Sequence, residues 1–168
     1  ICFAADLGQG VELEGVEVTG WASHDKLGPP DSYPKDIGRD IVRRFGRWPD
    51  RPEEFGTSSV RQLLRLERHL LENARYSTRV ASFLLKRPWD LGIAVLSTPH
   101  RGGHRLWDRS SIEGTVPPDL GERFDGALKR LYVACDEAVG RLLELARGAT
   151  VVVFALHGMM ANTCRADL

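Results

Sequence analysis

Cysteine is scarce in this sequence: three among 168 residues, Cys2, Cys135 and Cys164, far apart and with no C-x-x-C pair. So sparse and odd a set excludes a disulfide framework and a thiolate zinc site, and it points to a reducing, cytoplasmic compartment. Long hydrophobic runs are missing as well. The longest, Val151-Val152-Val153-Phe154-Ala155-Leu156, is far short of the roughly 20 residues a membrane span needs. Net charge is a third absence, because 23 lysines and arginines balance 23 aspartates and glutamates. With no overall field to recruit a polyanion, neither nucleic acid nor an anionic membrane surface is expected as a partner. The chain opens Ile1-Cys2-Phe3-Ala4-Ala5-Asp6 without an initiator methionine or a basic-then-apolar leader pattern, and stops at Arg165-Ala166-Asp167-Leu168 without a polar tail. The expectation is a segment of a longer protein. No internal repeat or low-complexity tract occurs.

What is present is enough apolar material for one core. Hydrophobic residues make up 42% and charged residues 27%, so residues 1–168 are expected to form a single α/β domain. Residues 1–56 are punctuated by Gly and Pro. Val11 to Trp21 alternates as a short strand or hairpin would. After the loop Gly28-Pro29-Pro30-Asp31-Ser32-Tyr33, Pro34 suits the first turn of a short helix through Ile37, Ile41, Val42 and Phe45, ended by Gly46.

Residues 57–168 read as helix, strand, helix, strand. Thr57 or Ser58 caps the first helix, which runs to about Lys86, before Pro88. Val60, Leu63, Leu64, Leu70, Leu71, Ala74, Val80, Ala81, Leu84 and Leu85 keep a three-and-four spacing, while Arg61, Arg65, Arg68, Glu72 and Arg75 take the other side. Leu91 to Leu96 has the form of a strand buried on both faces. The second helix runs from near Asp119 to Ala146, with Leu128, Leu131, Tyr132, Cys135, Val139, Leu142 and Leu143 inward, and Thr150 to Ala155 is the second buried strand. That order predicts a right-handed parallel crossover, in a parallel sheet with flanking helices.

Both predicted strands deliver histidine to their carboxyl edge, where ligands collect in open parallel sheets. Thr98-Pro99-His100-Arg101-Gly102-Gly103-His104-Arg105 follows the first, and His157-Gly158-Met159-Met160 follows the second. His100, His104 and His157 are the candidate metal ligands, since neutral imidazole suits zinc, iron and manganese-class ions. The two glycines within H-x-x-x-H disfavour a regular helix, so presentation from a loop is expected; the competing reading is loop histidines hydrogen-bonded to carbonyls. His24 reads as a substrate-side residue or as a turn residue with Asp25 as acceptor, and His69 as a structural residue, solvated or half-buried, of the first helix. Asp136 reads as a partner behind a ligand or as a face-lining acid, and Cys135 as core. Arg101 and Arg105 have forks suited to phosphate, or to nearby acids such as Asp108.

Three segments in order carry a family resemblance: His100-Arg101-Gly102-Gly103-His104-Arg105-Leu106-Trp107 after a strand, Leu131-Tyr132-x-x-x-Asp136-x-x-x-Gly140-Arg141-Leu142-Leu143 in a helix, and Leu156-His157-Gly158-Met159 after a second strand. Residues 88–162 resemble the alkaline phosphatase superfamily, in its type I phosphodiesterase and nucleotide-pyrophosphatase-like branch; the first half is similar more loosely, through Trp21-x-x-His24-Asp25. The resemblance implies an alkaline-phosphatase-like α/β fold, here a partial domain. It implies a hydrolase of phosphoric or sulfuric esters with two divalent ions, zinc or manganese, and a small phosphoester substrate. His104 matches the histidine of the family's Asp-x-x-x-His motif and His157 that of its Asp-His-Gly motif. His100 stands where the family has aspartate, and Leu156 where it has a second aspartate. The resemblance places the serine or threonine nucleophile and the remaining ligands outside this chain, so no catalytic residue is assigned within it. The alternatives are a non-catalytic binding or scaffold domain that kept the fold without the metal site, and a transferase or mutase of the same superfamily. Oligomeric state is not encoded in any pattern found.

Overall fold

The computed structural model describes residues 2–3, 14–20, 31–48, 56–155 and 158–159. Its elements are β1 (Cys2–Phe3), β2 (Glu17–Thr19), β3 (Asp31–Tyr33), α1 (Lys35–Phe45), α2 (Val60–Leu84), β4 (Ile93–Ala94), α3 (Thr98–Leu106), a 3-10 turn (Arg109–Ser111), α4 (Pro118–Asp125) and α5 (Ala127–Leu145). None of the helices among the described residues is long and apolar enough to cross a membrane.

Helix α2 is the organising element. Ser59 caps it, one residue beyond the two expected positions: its hydroxyl accepts from the Gln62 amide at 3.4 Å, and the Gln62 side chain accepts from the Ser59 amide at 2.9 Å. This reciprocal box satisfies two donors that a helix start otherwise leaves orphaned. Ser58 instead bridges to Ile112 and accepts from Arg105. The helix ends at Leu84, where Arg87 and Trp89 side chains donate to the carbonyls of Phe83 and Leu85.

Two apolar clusters share α2. Its carboxyl half packs Tyr76, Val80 and Leu84 on Val18 of β2 and on Ile37 and Ile41 of α1. Its amino half packs Val60, Leu63, Leu64 and Leu70 on Leu106 of α3, Phe124 of α4, and Ala127 and Leu131 of α5. The spacing of apolar residues along 60–85 therefore predicts the buried positions well. What it omits is how many sides are covered, since Glu67, Asn73 and Ser77 are also buried. Glu67, 2% exposed, accepts from Arg130 Nε of α5 at 2.5 Å, while its other oxygen has no hydrogen-bond partner among the described residues.

The parallel α/β expectation is overturned. The sheet is small and mixed, in the order β3-β2-β1-β4: β2 and β3 pair antiparallel over three residues, and β1 meets β2 and β4 through two residues each. Of the predicted buried strand Leu91 to Leu96 only Ile93–Ala94 is a strand, and Ile93 is 40% exposed. The predicted strand from Thr150 to Ala155 forms no strand, and Val152, Val153 and Phe154 are exposed by 73%, 71% and 75%. Helix, strand, helix, strand is thus not the order found, and an alkaline-phosphatase-like sheet with flanking helices is not the architecture. The physical reason is that β-branched runs become strands only where a paired neighbour and a packing layer receive them. Here α2, α3 and α5 cover one another instead.

Smaller expectations divide. Gly46 ends α1 as expected, with φ +81°, while Pro34 stands at the N-cap, one residue before the first turn expected for it, and Val42 is 39% exposed. The 11–21 run supplies β2, while residues 11–13 and 21 lie outside the described residues. The helix expected over 119–146 is divided at Gly126 into α4 and α5. Leu131 and Cys135 are buried there as expected, but Tyr132 and Leu143 are 49% and 44% exposed.

Leu70→Ala, at a fully buried position, is expected to cost about 2–5 kcal/mol of unfolding free energy. Ser59→Ala is expected to cost about 1 kcal/mol through the lost cap, and urea denaturation reads both.

Candidate metal centre

The segment carrying the H-x-x-x-H motif is a helix, α3, and not a loop. Pro99 sits in its first turn, where a missing amide hydrogen costs nothing and the fixed φ already suits a helix. Pro99 is thus a sequence signal for a helix start, and Gly102 and Gly103 point the other way. Each glycine within a helix costs about 1 kcal/mol relative to alanine, and here close packing explains both. A Cβ at Gly102 would collide with the Leu131 side chain of α5, and one at Gly103 with Met159. The glycines therefore bring α3 against α5 on one side and against the segment at 158–159 on the other.

Helical geometry places residues four apart on one face. His100 and His104 accordingly lie together, both half-buried, with ring centroids 4.7 Å apart and planes at 84°. Two imidazoles with nitrogens about 2.0–2.1 Å from a shared tetrahedral ion have ring centres roughly 5 Å apart, so the separation of the two rings is in the range a common ion needs. The Nδ1 atom of His104 is buried without a hydrogen-bond partner among the described residues. Leaving a buried polar nitrogen unsatisfied costs about 1–3 kcal/mol. Donation of a ring lone pair to a cation is one way to use such a nitrogen.

Neighbouring groups fix the helix and do not add ligands. Arg105 Nη2 donates to Ser58 Oγ at 2.7 Å, tying α3 to the start of α2, and Leu106 lies in the apolar cluster on the amino half of α2. Arg101 and Arg105 are both buried, 4% and 3% exposed, on the helix flank one residue round from the histidines. Asp108, one of the acids expected to serve these arginines, accepts from the Ser110 amide at 2.8 Å, and its hydrogen bonds to Ser110 hold its carboxyl below the usual range.

The other candidates separate. His157 and His24 lie outside the described residues. His69 is buried at 5% exposure, 3.4 Å from Asn73 Nδ2 through Nε2, so it is more enclosed than the expected solvated or half-buried position. Asp136 is on the exposed face of α5. Cys135 is core, as expected, and burial pushes its thiol up to about 11, away from thiolate chemistry at neutral pH. Among the described residues no group of three His, Cys, Asp or Glu side chains is placed to hold a metal ion. Of the three candidate ligands the structure brings two together, His100 and His104.

Packing at the glycines gives a direct check. Gly102→Ala is expected to destabilise by about 1–3 kcal/mol, because Leu131 is fully buried and cannot retreat. Gly103→Ala should cost less, since the Met159 side chain can swing aside. Gly140→Ala, with open space at its Cβ on α5, should stabilise by roughly 0.5–1 kcal/mol. Thermal melts of the three variants report the order.

In comparisons with known proteins, no family model, no curated protein and no solved structure matches the chain.

Proposed function

We propose that this chain supplies the histidine half of a divalent-metal centre, zinc or manganese, that acts on phosphoric esters. The observation that carries the reading is the His100–His104 pair, set on one helical turn at a spacing suited to a common ion. His157 is the proposed third ligand. The support for it is chain connectivity: Met159, two residues later, lies against Gly103, the residue before His104.

The ester class rests on the resemblance of the histidine segments to phosphodiesterases. A bound divalent ion supplies Lewis-acid stabilisation of charge on a phosphoryl oxygen. The chain's own groups do the rest: α3 fixes both rings, the glycines fix α3, and the Ser58–Arg105 bond fixes its end. A non-catalytic binding role is the second reading, favoured by the His100–His104 pair having no carboxylate grouped beside it among the described residues.

Calorimetric titration with zinc is expected to give one tight site, weakened at least tenfold in His100→Ala, His104→Ala and His157→Ala. Inorganic phosphate should then bind the zinc-loaded chain and not the metal-free one. Zinc binding without phosphate binding would select the non-catalytic reading, and zinc affinity indifferent to His104→Ala would remove the centre altogether.

A further inference from the structure

The zero net charge conceals a segregated one. Along α2 the exposed charged positions fall in one stripe, and they are Arg61, Arg65, Arg68, Glu72, Arg75 and Arg79. At 1.5 Å per residue the stripe is about 27 Å long. None of its five arginines is in an ion pair among the described residues, where the ion pairs join Lys35 with Asp31, Arg43 and Arg44 with Asp40, Arg109 with Asp125, and Arg130 with Glu67. Arg61 with Arg65, Arg65 with Arg68, and Arg75 with Arg79 stand three or four residues apart, so like charges face each other along the helix. Such pairs are mildly unfavourable for the helix, and an anion lying across them relieves the repulsion.

At its carboxyl end the stripe runs into stacked guanidinium and aromatic groups. Arg79 lies 5.7 Å from the centre of the Phe45 ring and 5.9 Å from that of Tyr76, and Arg44 and Arg87 lie over Phe83 at 4.9 and 4.5 Å. The opposite side of α2 is packed in both apolar clusters.

We infer that this face binds a single-stranded polynucleotide, with the α2 arginines on successive phosphates and the guanidinium–aromatic stacks at the end receiving bases. Charge complementarity selects a linear polyanion, and arginine's planar fork matches phosphate bidentately. A flexible strand adjusts its phosphate spacing to the turn-by-turn spacing of the arginines. A lipid surface is disfavoured because the apolar side of α2 is spent inside the protein and nothing remains to insert. A carboxylate polymer is disfavoured because it has no π-face for the stacks, whereas every base has one. The surface is separate from the histidine pair, and its test does not depend on metal.

Fluorescence anisotropy with a labelled single-stranded oligonucleotide of about 16 nucleotides measures it. The whole chain is expected to bind at about 50 mM salt, with log K falling against log salt with a slope of about −3.5, near −0.7 for each of five phosphate contacts. Arg65→Gln/Arg68→Gln/Arg75→Gln should lose at least tenfold in affinity and reduce the slope to about −1.4. Glu72→Gln should bind several-fold more tightly, a gain that misfolding cannot imitate. Absence of binding by the unaltered chain overturns the inference. So does an unchanged slope in the triple variant, or displacement of the oligonucleotide by polyglutamate or phosphatidylserine vesicles as effectively as by unlabelled strand.

Discussion

Burial of one 25-residue helix on all but one of its faces is the constraint on which the rest depends. Helix α2 spans both apolar clusters, so neither closes without it, and every other helix is placed by where it meets α2. Its amino half receives α3, α4 and α5, while its carboxyl half receives α1 and the β2 strand. A helix used this way needs a firm start, which the Ser59–Gln62 box provides. It also needs small or satisfied polar groups where the apolar stripe runs out, and the buried hydroxyls of Ser77 and Thr78 meet this by donating to the carbonyls of Asn73 and Ala74.

The position of α5 on α2 is set by unlike contacts. Apolar packing through Leu131 is tolerant of small rotations, whereas the Glu67–Arg130 pair is not, because the carboxylate is buried and holds the partly exposed Arg130 side chain in one geometry. Such pairs add little net stability, but losing the arginine would strand a charge. The orientation of α5 then fixes α3, since Leu131 fills the space that Gly102 leaves open. The two histidines are thus held by a sequence of contacts running from the centre of α2 outward to α3.

How much of this was legible in the sequence depended on whether local pattern or partner choice decided the element. The buried positions of α2, the limits of α1 and the core role of Cys135 follow from periodicity, proline, glycine and composition, which act locally. The strands at 91–96 and 150–155 did not, because a run such as Val151-Val152-Val153-Phe154 states a preference for extended backbone and says nothing of whether a neighbouring strand exists. The glycines of α3 misled in the opposite direction: their cost to a helix is local and visible, whereas the close approach of Leu131 and Met159 that repays it is tertiary. The histidine spacing itself was legible, and so was the separation of α2 arginines from its apolar face. The absence of net charge hid the second feature, since a sum over the chain does not record where charges stand.

The proposed metal centre requires His100 and His104 to act as one unit. Imidazole 15N NMR during a zinc titration reports each ring separately. The nitrogens of His100 and His104 are expected to shift together, with one midpoint and one equivalent of metal, while those of His69 stay in place. Shifts with separate midpoints, or a response at His69 equal to that at His104, would contradict it.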